Sequence, residues 1–180
     1  MAITKPSMVT RSQWGAVAPK SSMTSIGGVN KILVHHTAGN SGATGSTAYA
    51  AVRSIQKNHM DSPKNYSDIG YHFLISHDGL IFEGRSISYQ GAHCAPNGGN
   101  INSIGVSLIG NFTSTYISTA QENSLIKLLA WIKTTYSVSY AYIKGHRDYE
   151  ANECPGTKVY NNLENIRNKV AAYVLGITPL

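Results

Sequence analysis

The sequence predicts an α/β fold, a single domain in which a central mixed β-sheet is flanked by α-helices, and three observations carry that prediction. Short β-branched and apolar runs alternate with amphipathic helical stretches, two strand-like runs are joined across an Asp-Gly turn, and no repeat, low-complexity tract or long linker divides the 180 residues. Hydrophobic residues make up 42% and charged residues 13%, a balance that lets one domain bury a core without disulfides and excludes a disordered or fibrous chain. The expected domain spans residues 1–180, with its core between about 9 and 175.

Taken in order, Lys31 to His35 reads as a buried strand ending at two histidines, followed by a Gly/Ser/Thr-rich loop to Gly45. Ser46 is a candidate cap for a helix with Ala48, Val52, Ile55 and His59 on one face, and Pro63 stands beyond its end. Gly70 to Ser76 and Leu80 to Glu83 read as a β-hairpin around His77-Asp78-Gly79. Ile104 to Ile109 reads as a central strand in which Gly105 and Gly110 mark close approach of backbone or ligand. Ser118 and Gln121 form a capping box that opens a helix with Leu125, Leu128, Leu129 and Ile132 on its apolar face. Tyr142 to Lys144 reads as a last short strand, and Leu163, Ile166, Val170 and Val174 stripe a last helix.

Fifteen basic against nine acidic side chains leave a net charge of +6, which favours encounter with polyanions. The basic residues are scattered and form no nucleic-acid motif, so an anionic cell envelope is the better partner and nucleic acid is excluded. No apolar run reaches the roughly 20 residues of a membrane span, and residues 1–6 lack the apolar core of a secretory signal. A chain made in the cytoplasm, without membrane insertion and monomeric, is expected.

A hydrolytic zinc site takes three protein ligands and leaves one position open for water, and such ligands sit best at strand ends and on the loops beside them. His35 closes the first strand, His146 follows the last, and Cys154 comes eight residues later, before Pro155-Gly156. Each alone has a blander reading, a hydrogen-bonded strand-end histidine or a small buried thiol. Cys94 and Cys154 also leave a disulfide open, and strand alternation does not choose between His35 and His36.

The combined pattern resembles a known family. Arg11-Ser12-Gln13-Trp14-Gly15, Val34-His35-His36-Thr37-Ala38-Gly39, Gly70-Tyr71-His72-Phe73, Glu83-Gly84-Arg85, Gly91-Ala92-His93, Asn102 to Phe112, Gly145-His146-Arg147-Asp148 and Glu153-Cys154-Pro155-Gly156 stand in the order seen in type-2 N-acetylmuramoyl-L-alanine amidases. That group includes phage amidase endolysins and animal peptidoglycan recognition proteins, and the resemblance runs from Val9 to about Tyr160. It implies Zn2+ held by His35, His146 and Cys154, with His36 in a neighbouring place along the substrate groove. It implies Tyr71 as a hydrogen-bond donor to a developing oxyanion, with Arg85 and His93 lining the cleft toward the carboxylates of peptidoglycan.

Asn152 stands where many active relatives carry lysine or threonine. It keeps a hydrogen-bond donor for the oxyanion and loses the positive charge. Asp148 is a candidate to orient His146, with an ion pair near Arg147 as the blander alternative, and Ser86-Ile87 replaces the residues that discriminate stem peptides in relatives. The expected activity is zinc-dependent hydrolysis of the bond between N-acetylmuramic acid and L-alanine by an endolysin that reaches the wall after release. The rivals are a peptidoglycan-binding module without catalysis and a zinc peptidase acting on stem-peptide bonds.

Overall fold

Short apolar runs, buried almost continuously along their length, pair as five strands in one sheet. In the computed structural model, which describes residues 3–177, these are β1 (Lys31–His36), β2 (Phe73–Ile75), β3 (Ile81–Glu83), β4 (Ser103–Leu108) and β5 (Ile143–Gly145). The part of the reading of residues 1–6 that rests on Met1 and Ala2 lies outside the described residues. The strand order is β3-β2-β4-β1-β5; β2, β4, β1 and β5 run parallel and β3 is the antiparallel edge. The helices are α1 (Arg11–Trp14), α2 (Gly45–Met60), α3 (Thr119–Tyr136), α4 (Thr157–Asn161) and α5 (Leu163–Leu175).

The two faces of the sheet carry different layers. Ile32 and Val34 of β1, Phe73 and Ile75 of β2, and Ile104, Val106 and Leu108 of β4 turn to one face. There α3 and α5 cover them with Leu125, Leu128, Leu129, Ile132, Ile166 and Val170. Leu74 of β2 turns to the other face and packs with Trp14 of α1 and with Ala48 and Val52 of α2. Along β1 and β4 this second face receives Leu33, His35, Gly105 and Ser107, because side chains alternate and the register pairs Leu33 with Gly105 and His35 with Ser107. Apolar cover is thus complete on one face, and polar side chains occupy part of the other.

Boundaries differ from the sequence reading where side chains outside the periodic pattern decide them. Helix α2 begins at Gly45 with Thr44 as its cap, not at Ser46, because Thr47 Oγ1 accepts from the Thr44 N–H at 2.9 Å and Asp78 accepts from the Gly45 N–H at 2.9 Å. Ile55 packs against the core as expected, and Gln56 beside it is buried as well, since both ends of its amide are used: Nε2 donates to Val17 O and Asp68, and Oε1 accepts from the Val17 N–H. Helices α1 and α4, too short to show periodicity, were not expected.

Ser118 caps α3 by accepting from the Gln121 N–H at 3.0 Å, but the reciprocal half of the capping box is absent. The fully buried Gln121 amide instead donates to Ile75 O at 2.9 Å and Ile109 O at 3.2 Å, joining α3 to the ends of β2 and β4. Gln121→Leu would keep the volume and leave Ile109 O without a partner, at a cost of about 1–3 kcal/mol, while Ile75 O keeps the Ile109 N–H at 2.8 Å. Chemical denaturation is expected to show a loss of about 1–3 kcal/mol with an unchanged slope; a loss below about 0.5 kcal/mol would show the bond to Ile109 O to be dispensable.

Candidate metal centre

β1 ends in two consecutive histidines, and a strand's two-residue repeat sends them to opposite faces. His35 turns to the partly covered face and is completely buried. His36 turns toward the α3/α5 layer, where its Nδ1 accepts from the Phe112 N–H at 3.2 Å. Parallel pairing of β5 beside β1 brings the turn that follows β5, and with it His146, next to His35, with ring centroids 4.6 Å apart. Cys154 arrives on the next loop, its Sγ 3.6 Å from His35 Nδ1. One ligand atom each from His35, His146 and Cys154 lies within 4.8 Å of the other two.

The Cys154 loop is fastened from several sides. Asn152 Oδ1 accepts from the Cys154 N–H at 3.0 Å, Cys154 O accepts from the Arg147 N–H at 3.0 Å, and the His36 N–H donates to Sγ at 3.3 Å. Gly156 has φ +90°, and a Cβ there would lie 2.4 Å from the Phe112 carbonyl carbon, so the return of the loop over Phe112 requires glycine. Cys94 and Cys154 are both free thiols, which removes the disulfide alternative.

Burial governs the charge states here. It holds His35 well below the ordinary imidazole value, with His146, His36 and His72 adding to the effect, so His35 is neutral and able to ligate. Burial also pushes the Cys154 thiol up to about 12, against the opposing pull of the His36 N–H and Arg147. A bound divalent cation is the charge that reverses this cost and favours the thiolate. Two nitrogens and one sulfur are the donors zinc prefers, and three protein donors leave its fourth position open. Of the buried polar side-chain atoms without a partner among the described residues, two stand beside His35: Ser107 Oγ on the neighbouring strand and His93 Nε2. The residues present therefore fit zinc.

Beside His146 opens a cleft of about 310 Å³ whose lining includes Tyr71, His59, Tyr66, Lys64, His93, Asn100 and Glu150. Tyr71 stands with its ring centroid 5.3 Å from that of His35. Burial, followed by the neighbouring Cys154, pushes its phenol well above the ordinary value, so the hydroxyl keeps its proton and remains a donor. His146 Nε2 meets Glu150 Oε2 at 2.8 Å. Glu150 was missed in the sequence, although its spacing four residues after His146 was the available signal. His93 Nδ1 lies 3.0 Å from His35 Nε2.

Other expected site residues are engaged elsewhere. Arg85 is buried and donates Nε to Ile69 O at 2.8 Å, Nη1 to Gln90 O at 2.8 Å and Nη2 to Asp68 O at 3.1 Å. It fastens the loops around the cleft where a carboxylate contact was expected. His36 likewise fastens Phe112, its ring on the opposite side of the sheet from His35. Asn152 spends its oxygen on the Cys154 turn. Asp148 neither orients His146 nor pairs with Arg147: its carboxylate accepts from the Gly145 N–H at 2.9 Å and from the Tyr160 hydroxyl at 2.6 Å.

Residues 26–157 match the N-acetylmuramoyl-L-alanine amidase family, Amidase_2. The chain belongs to this family. Among curated members it is similar to peptidoglycan-recognition protein SC2 of Drosophila simulans, 35% identical over 162 residues, which is 89% of this chain and 86% of that one. Among solved structures in the amidase family, it is similar to N-acetylmuramoyl-L-alanine amidase LysC from Clostridium intestinale, with a TM-score of 0.77, 28% identity, and coverage of 93% of this chain and 99% of that one. It is also similar to peptidoglycan recognition protein-LE in complex with tracheal cytotoxin, a monomeric diaminopimelic acid-type peptidoglycan. There the TM-score is 0.80 and the identity 30%, over 88% of this chain and 92% of that chain. The family fold thus holds both enzymes and recognition proteins.

Two further buried histidines add to the acid sensitivity that His35 gives the fold. Burial lowers His59 and His72 to about 4; His59 Nδ1 accepts from the Gly70 N–H, and His72 Nδ1 accepts from the Gly105 N–H while Nε2 faces Tyr89 O. The unfolded chain binds these protons near pH 6.5 and the folded chain only near 4, so stability is lost as pH falls through that window. Thermal unfolding midpoints are expected to drop steadily between pH 6.5 and 4, and His59→Asn, which keeps an acceptor for Gly70 and cannot be protonated, should flatten the slope. An unchanged slope in that variant would remove His59 from the account.

Proposed function

We propose that this chain is a zinc-dependent N-acetylmuramoyl-L-alanine amidase that hydrolyses the amide joining the lactyl group of N-acetylmuramic acid to the L-alanine of the peptidoglycan stem. The observation that carries the reading is the convergence of His35, His146 and Cys154 at a cleft that also holds a protonated phenol. The family match and the similarity to LysC support the reaction, and the peptidoglycan fragment bound to a structural relative supports the substrate class.

Zinc, when bound, supplies Lewis acidity that polarises an amide carbonyl and acidifies water toward neutral pH. The chain's own residues do the rest. His35, buried and neutral, His146 and the thiolate form of Cys154 would hold the ion, and Glu150 fixes the ring of His146. Tyr71 donates its hydroxyl proton in a hydrogen bond to the amide oxygen as negative charge develops there. Addition of water to the carbonyl carbon is followed by cleavage of the C–N bond, and the departing nitrogen takes a proton to leave as the free amino group of L-alanine.

A second reading, a peptidoglycan-binding module without catalysis, is favoured by the recognition proteins among the relatives. The filled Cys154 position favours the enzyme. The proposed setting is wall lysis by an endolysin that acts after release from the cytoplasm, and among the described residues no helix is long and apolar enough to cross a membrane.

Digestion of purified bacterial walls with the zinc-loaded protein, followed by mass spectrometry, is expected to release peptides with free N-terminal L-alanine. Walls bound without such products would make the recognition reading correct; cuts within the stem peptide would indicate a peptidase. Tyr71→Phe should lower kcat by about 100- to 1,000-fold while one zinc per chain is retained. A kcat within about threefold of the parent would strip Tyr71 of its assigned part.

A further inference from the structure

The imidazole of His93 sits in a slot built for it. Gly105 of β4 lies beneath the ring, where a Cβ would come 2.5 Å from His93 Cδ2, and Gly91 lies beside it, where a Cβ would come 2.3 Å from the same atom. Any side chain at either glycine would displace the ring. Asn100 Oδ1 fixes the backbone beneath it by accepting from the His93 and Cys94 N–H groups at 2.9 and 2.7 Å. The ring meets His35 edge to face at a centroid distance of 4.8 Å, with His93 Nδ1 3.0 Å from His35 Nε2. His93 is 8% exposed, and its Nε2 is buried with no partner.

From this geometry we infer that His93 is a positioning residue that selects the metal-binding tautomer of His35. The inference rests on the zinc reading above. A neutral imidazole carries one N–H. His35 turns Nδ1 toward Cys154 Sγ and Nε2 toward His93. When His93 Nδ1 accepts, the proton of His35 is held on Nε2 and the Nδ1 lone pair is free for a metal. The same bond sets the rotation of the His35 ring, so two of the three donors are oriented by a second side chain: His35 by His93 and His146 by Glu150. The proton of His93 then resides on its unpartnered Nε2, a cost the fold accepts at a ring held on both sides by glycine.

Two variants separate positioning from packing. His93→Leu fills the slot and removes the acceptor; His93→Asn places Oδ1 where Nδ1 was and restores it. Zinc affinity measured by competition with a chromophoric chelator is expected to fall about 10- to 100-fold in His93→Leu and to return to within about threefold of the parent in His93→Asn. Thermal unfolding of the metal-free proteins controls for folding. Long-range 1H–15N NMR of the zinc-loaded parent should show His35 protonated at Nε2 and His93 unprotonated at Nδ1.

Parental affinity in His93→Leu, affinity in His93→Asn as weak as in His93→Leu, or a His35 protonated at Nδ1 in the zinc-loaded parent would each overturn the inference. If His93→Leu does not fold, the Asn variant and the NMR assignment decide. A parent that binds no zinc would instead bring down the zinc reading and this inference with it.

Discussion

The site depends on the alternation of side chains at the end of β1. His35 and His36 are adjacent in the chain, and the pleat separates them by the thickness of the sheet. One imidazole joins His146 and Cys154; the other accepts from Phe112 on the helix-covered side, while its own backbone N–H reaches back to the Cys154 sulfur. A one-residue shift in the register of β1 would exchange them and leave the thiol beside a core position. Register is held by apolar burial on the α3/α5 face, where Ile32 and Val34 are fully covered. Core packing thereby decides which histidine faces the cleft.

The polar residues beside the cleft divide into those fastened to backbone and those left facing the open space. Arg85 spends its donors on three carbonyls, Asn152 and Asn100 hold turns, and Asp148 ties the Gly145 turn to Tyr160. Tyr71, Lys64 and Tyr66 line the opening, together with Glu150, which is held by His146 Nε2. Rigid loops around a few unfastened groups are what a preorganised hydrolytic site needs, since misplacement by about 1 Å forfeits much of the catalytic benefit.

Much of this was legible in the sequence because strand and helix periodicity reports burial directly. β1, β4, the hairpin and the apolar faces of α3 and α5 follow from spacing alone, and Gly105, a glycine inside a strand pattern, signals the close approach that the His93 ring makes there. The ordered motifs carried the family resemblance and picked out the three donors, which adjacent strands then bring together. What stayed illegible depends on which way a polar side chain turns. Arg85 has the right chemistry to meet substrate, but it is drawn to nearer backbone carbonyls whose positions only the folded loops define, and the same loops give the Asn152 oxygen to the Cys154 N–H while its Nδ2 makes no hydrogen bond among the described residues. Gln121 offered a capping signal and was diverted to two carbonyls distant in sequence. Glu150 and the His35–His93 pair are set by a turn and by a contact across 58 residues, neither of which periodicity encodes.

The central claim is that two imidazole nitrogens and one thiolate hold a single zinc ion. X-ray absorption at the zinc edge of the loaded protein tests it most directly. The expected shell has one sulfur at about 2.3 Å and lighter nitrogen or oxygen donors at about 2.0–2.1 Å, two of them showing imidazole multiple scattering. A shell with no sulfur, or with a single imidazole, would contradict the assignment.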